Sequence, residues 1–320
     1  MKILGLARYA FGACGVVAML AGCSAGSQVG PSPIAQNAVT APNKAALPRS
    51  WMAPDVNLKK KDLLYVTNFY GGEILVFTYP GGKPVGALTG VGALTGGGGG
   101  GECTSSTSNG NWWLTGADEI LEFAHGGTRP IYTLSGGAGR CAIDPTTGNL
   151  AAMTGDGLVI YRHARGRGKM YATPLAEVYF AGYDSKGNLF VDGFNSNRAF
   201  ALVELPKGSN SFESISLNQT IEFPGGVQWD GKHLAVEDQL TGNIYQFAIS
   251  GSNGTLEGTT PLEGAGDAVA FWIQKPDVVA ADAGNEDAEI WSYPGGGPPI
   301  KILTGQFDLP LAVVVSVAPK

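Results

Sequence analysis

The chain has 320 residues, 49 of them Gly, with 21 Lys and Arg against 27 Asp and Glu for a formal net charge of −6. An acidic chain repels phosphate backbones, so nucleic acid is excluded as a partner. The glycine content suits many tight turns, and the near absence of long helix-period segments excludes α/β architectures in favour of an all-β fold.

Residues 1–22 hold Lys2 and Arg8, an apolar stretch from Ala10 to Leu20 and small residues before Cys23. That arrangement describes an export signal, whose apolar part is too short to span a bilayer as a helix. Leu20-Ala21-Gly22-Cys23 resembles the lipobox of bacterial lipoproteins, which implies cleavage before Cys23 and attachment of lipid to its thiol. An ordinary signal peptide that contains a cysteine is the alternative. On the lipoprotein reading the protein is exported to the bacterial cell envelope, periplasmic or at the outer surface, and meets the membrane through its lipid anchor alone. Residues 23–58 carry Pro31, Pro33, Pro42, Pro48 and Pro54 without hydrophobic periodicity and read as a flexible tether, with Trp51 and Met52 expected to pack on the domain. The globular domain is expected over residues 59–320. Without residues 1–22, 19 Lys and Arg face 27 Asp and Glu, a charge of −8.

A phrase near the start of that domain, Leu75-Val76-Phe77-Thr78-Tyr79-Pro80-Gly81-Gly82 and then Ala87-Leu88-Thr89-Gly90, returns near its end. There it reads Ile290-Trp291-Ser292-Tyr293-Pro294-Gly295-Gly296 and then Lys301-Ile302-Leu303-Thr304-Gly305. A short unit of strands and Gly-rich turns used repeatedly points to a β-propeller. The second strand of each unit is predicted over residues 64–68, 112–116, 150–154, 189–193, 234–238 and 278–282. Turns such as Thr147-Gly148-Asn149 and Lys186-Gly187-Asn188 precede most of them. Third strands are predicted over 73–78, 119–124, 157–162, 199–205, 243–249 and 289–293. The first unit lacks an inner strand, because the tether and Lys59-Lys60-Lys61 stand in its place, while the apolar run over 309–317 has no successor. The expectation is a six-bladed β-propeller closed by the C-terminal strand joining the N-terminal blade, which buries the open edges.

Tyr65-Val66-Thr67-Asn68 resembles the signature of YVTN-type propellers, and the segment from Tyr183-Asp184-Ser185 to Val191-Asp192 is similar to the core of an NHL-type repeat. The resemblance covers roughly residues 62–318, with a Ser/Thr-rich departure over 103–109. It implies the fold; these families include binding modules, lactonases and lyases.

Of four cysteines, Cys14 lies in the signal and Cys23 is committed to lipid, which leaves Cys103 and Cys141. Two cysteines in an exported chain suggest a disulfide. Each opens an equivalent stretch, on inner strands of adjacent blades in the propeller reading; two free buried thiols are the alternative.

Asn68, Glu102, Asp192, Asp238, Asp267, Asp282 and Asp308 are expected around one mouth of the channel. Asp and Asn at strand ends cap turns, and that is one reading. The other is a hard-cation site: gluconolactonase-like propellers resemble this arrangement in holding Ca²⁺ on a few carboxylates and amides, where the metal polarises a lactone carbonyl. His125, His163 and His233 are scattered, whereas streptogramin-lyase-like propellers use a general acid/base histidine. The basic run from Arg162 to Lys169 reads as a solvated hairpin loop or as a docking patch for an acidic glycan or phospholipid head group. Trp112, Trp113, Trp229, Trp272 and Trp291 are core or an aromatic platform for sugars or peptides. The function expected is a non-enzymatic binding or scaffolding module for a protein, peptide or glycan ligand, monomeric, with no catalytic or cofactor-binding residue assigned. A Ca²⁺-dependent lactonase-like hydrolase with the carboxylate ring at the channel mouth is the alternative.

Overall fold

The computed structural model describes residues 49–54, 58–91, 101–104, 109–137, 139–154 and 157–320, except the side chains of Glu102 and Thr104. The expected signal, the expected lipid attachment at Cys23 and most of the expected tether lie outside the described residues. Ala46–Lys320 form one compact unit, and none of the described helices is long and apolar enough to cross a membrane.

The described chain is almost entirely strand, arranged as a β-propeller. The first sheet runs in the order Trp51–Met52, Pro84–Thr89, Glu73–Tyr79, Asp62–Asn68, Pro310–Ser316. Two four-stranded meanders follow, Glu102–Thr104 with Trp112–Thr115, Glu119–Phe123 and Pro130–Ser135, then Arg140–Ile143 with Leu150–Thr154, Gly157–Tyr161 and Lys169–Tyr171. Next come two meanders fused into one eight-stranded sheet, Glu177–Tyr183 to Glu213–Leu217 and Pro224–Trp229 to Asn253–Pro261. The last sheet holds Ala268–Gln274, Asp277–Asp282, Asp287–Ser292 and Lys301–Leu303. The fusion is a short parallel pairing of Ser216 with Asn253 and Leu217 with Gly254. It was not expected from the sequence, and it arises because the hairpin of Asn243–Ser250 and Asn253–Pro261 runs past its pairing with Leu234–Asp238 and meets the edge of the preceding meander.

The innermost strands touch in cyclic order: Pro310–Ser316, Glu102–Thr104, Arg140–Ile143, Glu177–Tyr183, Pro224–Trp229, Ala268–Gln274 and back to Pro310–Ser316. The ring closes as expected, with Pro310–Ser316 pairing antiparallel to Asp62–Asn68, Leu63 opposite Ser316 and Asn68 opposite Pro310. Trp51 and Met52 pack on the domain as an outer strand, opposite Ala87 and Gly86. The predicted second strands appear as Asp62–Asn68, Trp112–Thr115, Leu150–Thr154, Leu189–Phe194, Leu234–Asp238 and Asp277–Asp282.

Each sheet is covered on both faces, which is why its strands read as continuous apolar runs and not as alternation. Leu63 and Tyr65 face the second sheet and pack with Trp112, Leu114 and Phe123. Leu64 and Val66, one residue out of phase, face the last sheet and pack with Val279, Ala281 and Ile290. The rings of Tyr65 and Trp112 stack at 4.2 Å and those of Trp112 and Phe123 at 4.8 Å, each pair contributing roughly 0.5–1.5 kcal/mol beyond its buried area. Cys103 and Cys141, on neighbouring inner strands, form a disulfide with a Cα separation of 5.7 Å.

The turns after Glu177–Tyr183 and after Pro224–Trp229 use one device. Asp184 Oδ1 accepts the amides of Lys186 and Asn188, and Asp230 Oδ1 accepts those of Lys232 and His233. Gly187 and Gly231 between them sit at φ 89° and 100°, where a side chain would be strained. With these turns closing one end of the propeller, the loops leaving second strands and entering first strands all open at the other.

Candidate functional site

At that loop-bearing mouth the second strands end in polar residues whose side chains hold backbone. Asn68 Nδ2 donates to Gln306 O at 2.9 Å, and Asn68 Oδ1 accepts the Asp308 amide at 2.5 Å. Asp238 accepts the amides of Glu222, Phe223 and Leu240, each at 3.1 Å. Asp282 accepts those of Gly266, Asp267, Gly284 and Asn285 at 2.6–3.0 Å, and Asn285 Nδ2 adds a fifth bond at 3.1 Å. Three of the seven residues expected to ring the channel are therefore locks that fasten the loop before each first strand to the end of the second strand. Their side-chain oxygens accept amides of those loops. Asp308 is exposed beside Asn68, and the side chain of Glu102 lies outside the described residues.

The remaining acidic residues fall into an arc across the eight-stranded and last sheets. Asp192 is fully buried and accepts the Phe180 amide at 2.8 Å. Burial pushes its carboxyl well above the usual range, opposed in part by the amides of Phe180 and Gly225. Glu237, at 0% exposure, accepts the Gly226 amide at 2.9 Å through Oε2, while Oε1 has no hydrogen-bond partner among the described residues. Burial first, then the negative charges of Asp267, Asp192 and Asp238, push it to about 8. Asp267, at the rim, is also raised, by desolvation and by the charge of Asp282.

The tightest part of the arc is Asp282, Asp287 and Glu289, each offering a carboxylate oxygen within 4.8 Å of the others. Asp282 and Asp287 face each other across paired strands. Desolvation, followed by the charge of Asp282, pushes Asp287 to about 6; desolvation, followed by the charges of Asp287 and Asp282, pushes Glu289 to about 7. Sequence reasoning missed Glu237, Asp287 and Glu289. The signal available was an acidic residue inside an otherwise apolar strand, as in Leu234-Ala235-Val236-Glu237 and Asp287-Ala288-Glu289-Ile290.

The same mouth carries aromatic surface, from residues other than those expected. Trp112, Trp113 and Trp291 are buried in the cores, and Trp229 and Trp272 pack against them, so the tryptophans are structural. Tyr179, Phe194 and Phe223 instead form a mutual edge-to-face cluster, with centroids 5.4–5.7 Å apart and planes at 81–90°. Tyr179 sits where a bulge interrupts its strand between Val178 and Ala181. Phe223 is 37% exposed and Leu240 60%, and the carboxylate of Asp238 fixes the backbone of both. On the first sheet Tyr70 is 62% exposed and its amide donates to Asp308 O at 3.1 Å.

The histidines serve the scaffold: His125 bonds Ser316 Oγ and Leu58 O, His163 bonds Thr147 O, and His233 lies between Asp230 and Glu257. In the basic run, Arg165 pairs with buried Glu122 at 2.7 Å and covers the Tyr132 ring at 4.2 Å, while Arg162 and Arg167 are exposed.

No family model matches the chain, and no curated protein matches its sequence. Among solved structures it is similar to one from the nidogen/laminin complex, with a TM-score of 0.66 at 11% identity over 81% of this chain and 100% of that one. It is similar to a protein of unknown function from Bacteroides caccae, with a TM-score of 0.57 at 13% identity over 80% and 99% of the two chains. It is also similar to regucalcin, a calcium-binding protein from Agrobacterium tumefaciens str. C58, with a TM-score of 0.51 at 13% identity over 66% and 76%. At these identities the likeness shows the β-propeller fold alone.

Proposed function

We propose that the protein is a six-bladed propeller, the eight-stranded sheet counting as two blades, that acts as a non-enzymatic binding or scaffolding module. The loop-bearing mouth is its ligand face for a protein, peptide or glycan, and acylated Cys23 tethers it to the bacterial cell envelope. The observation that carries this reading is the edge-to-face cluster of Tyr179, Phe194 and Phe223, continued by exposed Leu240 and held by Asp238. Rigid aromatic rings packed edge to face at the surface, with the backbone of Phe223 fixed by a buried carboxylate, suit apolar side chains or sugar faces, since they lose little entropy on contact. Engagement of Asn68, Asp238 and Asp282 by loop amides, and of the histidines by the scaffold, supports binding over catalysis.

The test is to probe peptide and glycan arrays with the full-length protein and with Phe223→Ala and Tyr70→Ala. Signals lost in the Phe223 variant are expected. Signals unchanged in both variants place the ligand elsewhere. A Ca²⁺-dependent lactonase-like hydrolase is the second reading, supported by the likeness to the calcium-binding regucalcin and by the acidic arc. Turnover of a lactone panel by the full-length protein with Ca²⁺, abolished by chelation, would replace the first reading with it.

A further inference from the structure

Three carboxylates of the last sheet meet on the face it turns to the meander ending at Asn253–Pro261. Glu289 is 2% exposed and Asp287 9%. Asp282 is satisfied by its five nitrogen donors, but Glu289 Oε2 and Asp287 Oδ1 have no hydrogen-bond partner among the described residues. Among the described residues no Lys or Arg forms an ion pair with them. Buried carboxylates are ordinarily paired or bound to a metal. Here two side chains about nine-tenths or more buried, each with an unpartnered oxygen, bring a carboxylate oxygen within 4.8 Å of each other and of a third carboxylate.

We propose that Asp282, Asp287 and Glu289 bind one hard divalent cation of the Ca²⁺ type. The donor set is all oxygen, as such a cation requires, and water and backbone carbonyls complete a shell of six to eight ligands. Asp282 gives the site a reach beyond itself. Its carboxylate already gathers the loop at Gly266 and Asp267 and the turn at Gly284 and Asn285, so the ion stiffens one sector of the mouth. The site stands whether or not the aromatic cluster binds a ligand.

The experiment is a calorimetric titration of the chelator-treated full-length protein with Ca²⁺ alone. One site per chain is expected, weakened roughly tenfold or more by Glu289→Gln or Asp287→Asn, since affinity follows ligand charge. Glu257→Gln, which alters an exposed carboxylate outside the cluster, is expected to leave the affinity unchanged. Each variant's fold is checked by thermal unfolding without metal. Tb³⁺ luminescence gives a second readout, because Trp291 lies two residues beyond Glu289 on the same side of the strand and can sensitise it. Absence of saturable heat and of sensitised luminescence in the unaltered protein overturns the proposal. So does Ca²⁺ binding that survives both cluster substitutions.

Discussion

Glu237→Gln isolates the cost of a buried, unpaired carboxyl. In the fold this side chain is fully buried and its pKa stands at about 8 against 4.5 for the free group. Between those values the folded protein keeps a proton that the unfolded chain releases, so stability falls as pH rises through the window. At about 1.36 kcal/mol per unit, the loss reaches roughly 3 kcal/mol at pH 7 and roughly 5 kcal/mol by pH 9, and is under about 1 kcal/mol at pH 5. Gln has nearly the same volume, can still accept the Gly226 amide and does not titrate. The variant is therefore expected to gain on the unaltered protein steadily from pH 4.5 to 8, with a further melting-temperature advantage of roughly 6–12 °C at pH 7 relative to pH 4.5. Urea unfolding of both proteins across pH 4.5–9 measures it. Parallel stability curves would refute the reasoning, because they would mean that Glu237 is ionised in the fold at little cost.

Replacing Cys103 and Cys141 together by Ser removes a cross-link with a sequence separation of 38. It should cost about 4 kcal/mol in the chain-entropy model, read as a lower urea midpoint that reductant no longer shifts. Asp238→Ala frees the amides of Glu222, Phe223 and Leu240. It is expected to cost about 1–3 kcal/mol and to abolish array binding even though no aromatic residue has changed; binding that persists would show that Asp238 does not position the cluster. Ending the chain after Asp308 removes Pro310–Ser316 and leaves Asp62–Asn68 as an unpaired apolar edge. Size-exclusion chromatography is expected to show aggregate, and a native-like monomer would show that ring closure is dispensable.

The order of the strands, the closing of the ring by the last of them and the Cys103–Cys141 bridge were legible in the amino-acid sequence. All three rest on local signals. Turn chemistry at segments such as Lys186-Gly187-Asn188 and strand-length apolar runs are written in consecutive residues, and the repeat converts them into positions on a ring. The predicted third strand over 289–293 began too late, which hid Asp287 from view; in the fold that strand is Asp287–Ser292. The fusion of two meanders through Ser216 and Asn253 depends on how far one hairpin runs past the strand beside it, and no local pattern encodes that.

The acidic and aromatic groups show where local information ends. Glu237 and Asp238 are neighbours in one strand, so their side chains leave on opposite faces. One enters a dry space against Gly226, and the other takes up amides of a loop. Tyr179, Phe194 and Phe223 come from three separate segments. The sequence by itself determined the blades and their closure, because strand period and turn geometry are properties of adjacent residues. Only the tertiary structure decided which carboxyls are desolvated, which are spent on loops and which face one another, because burial and charge proximity are set by neighbouring sheets that the chain reaches dozens of residues later.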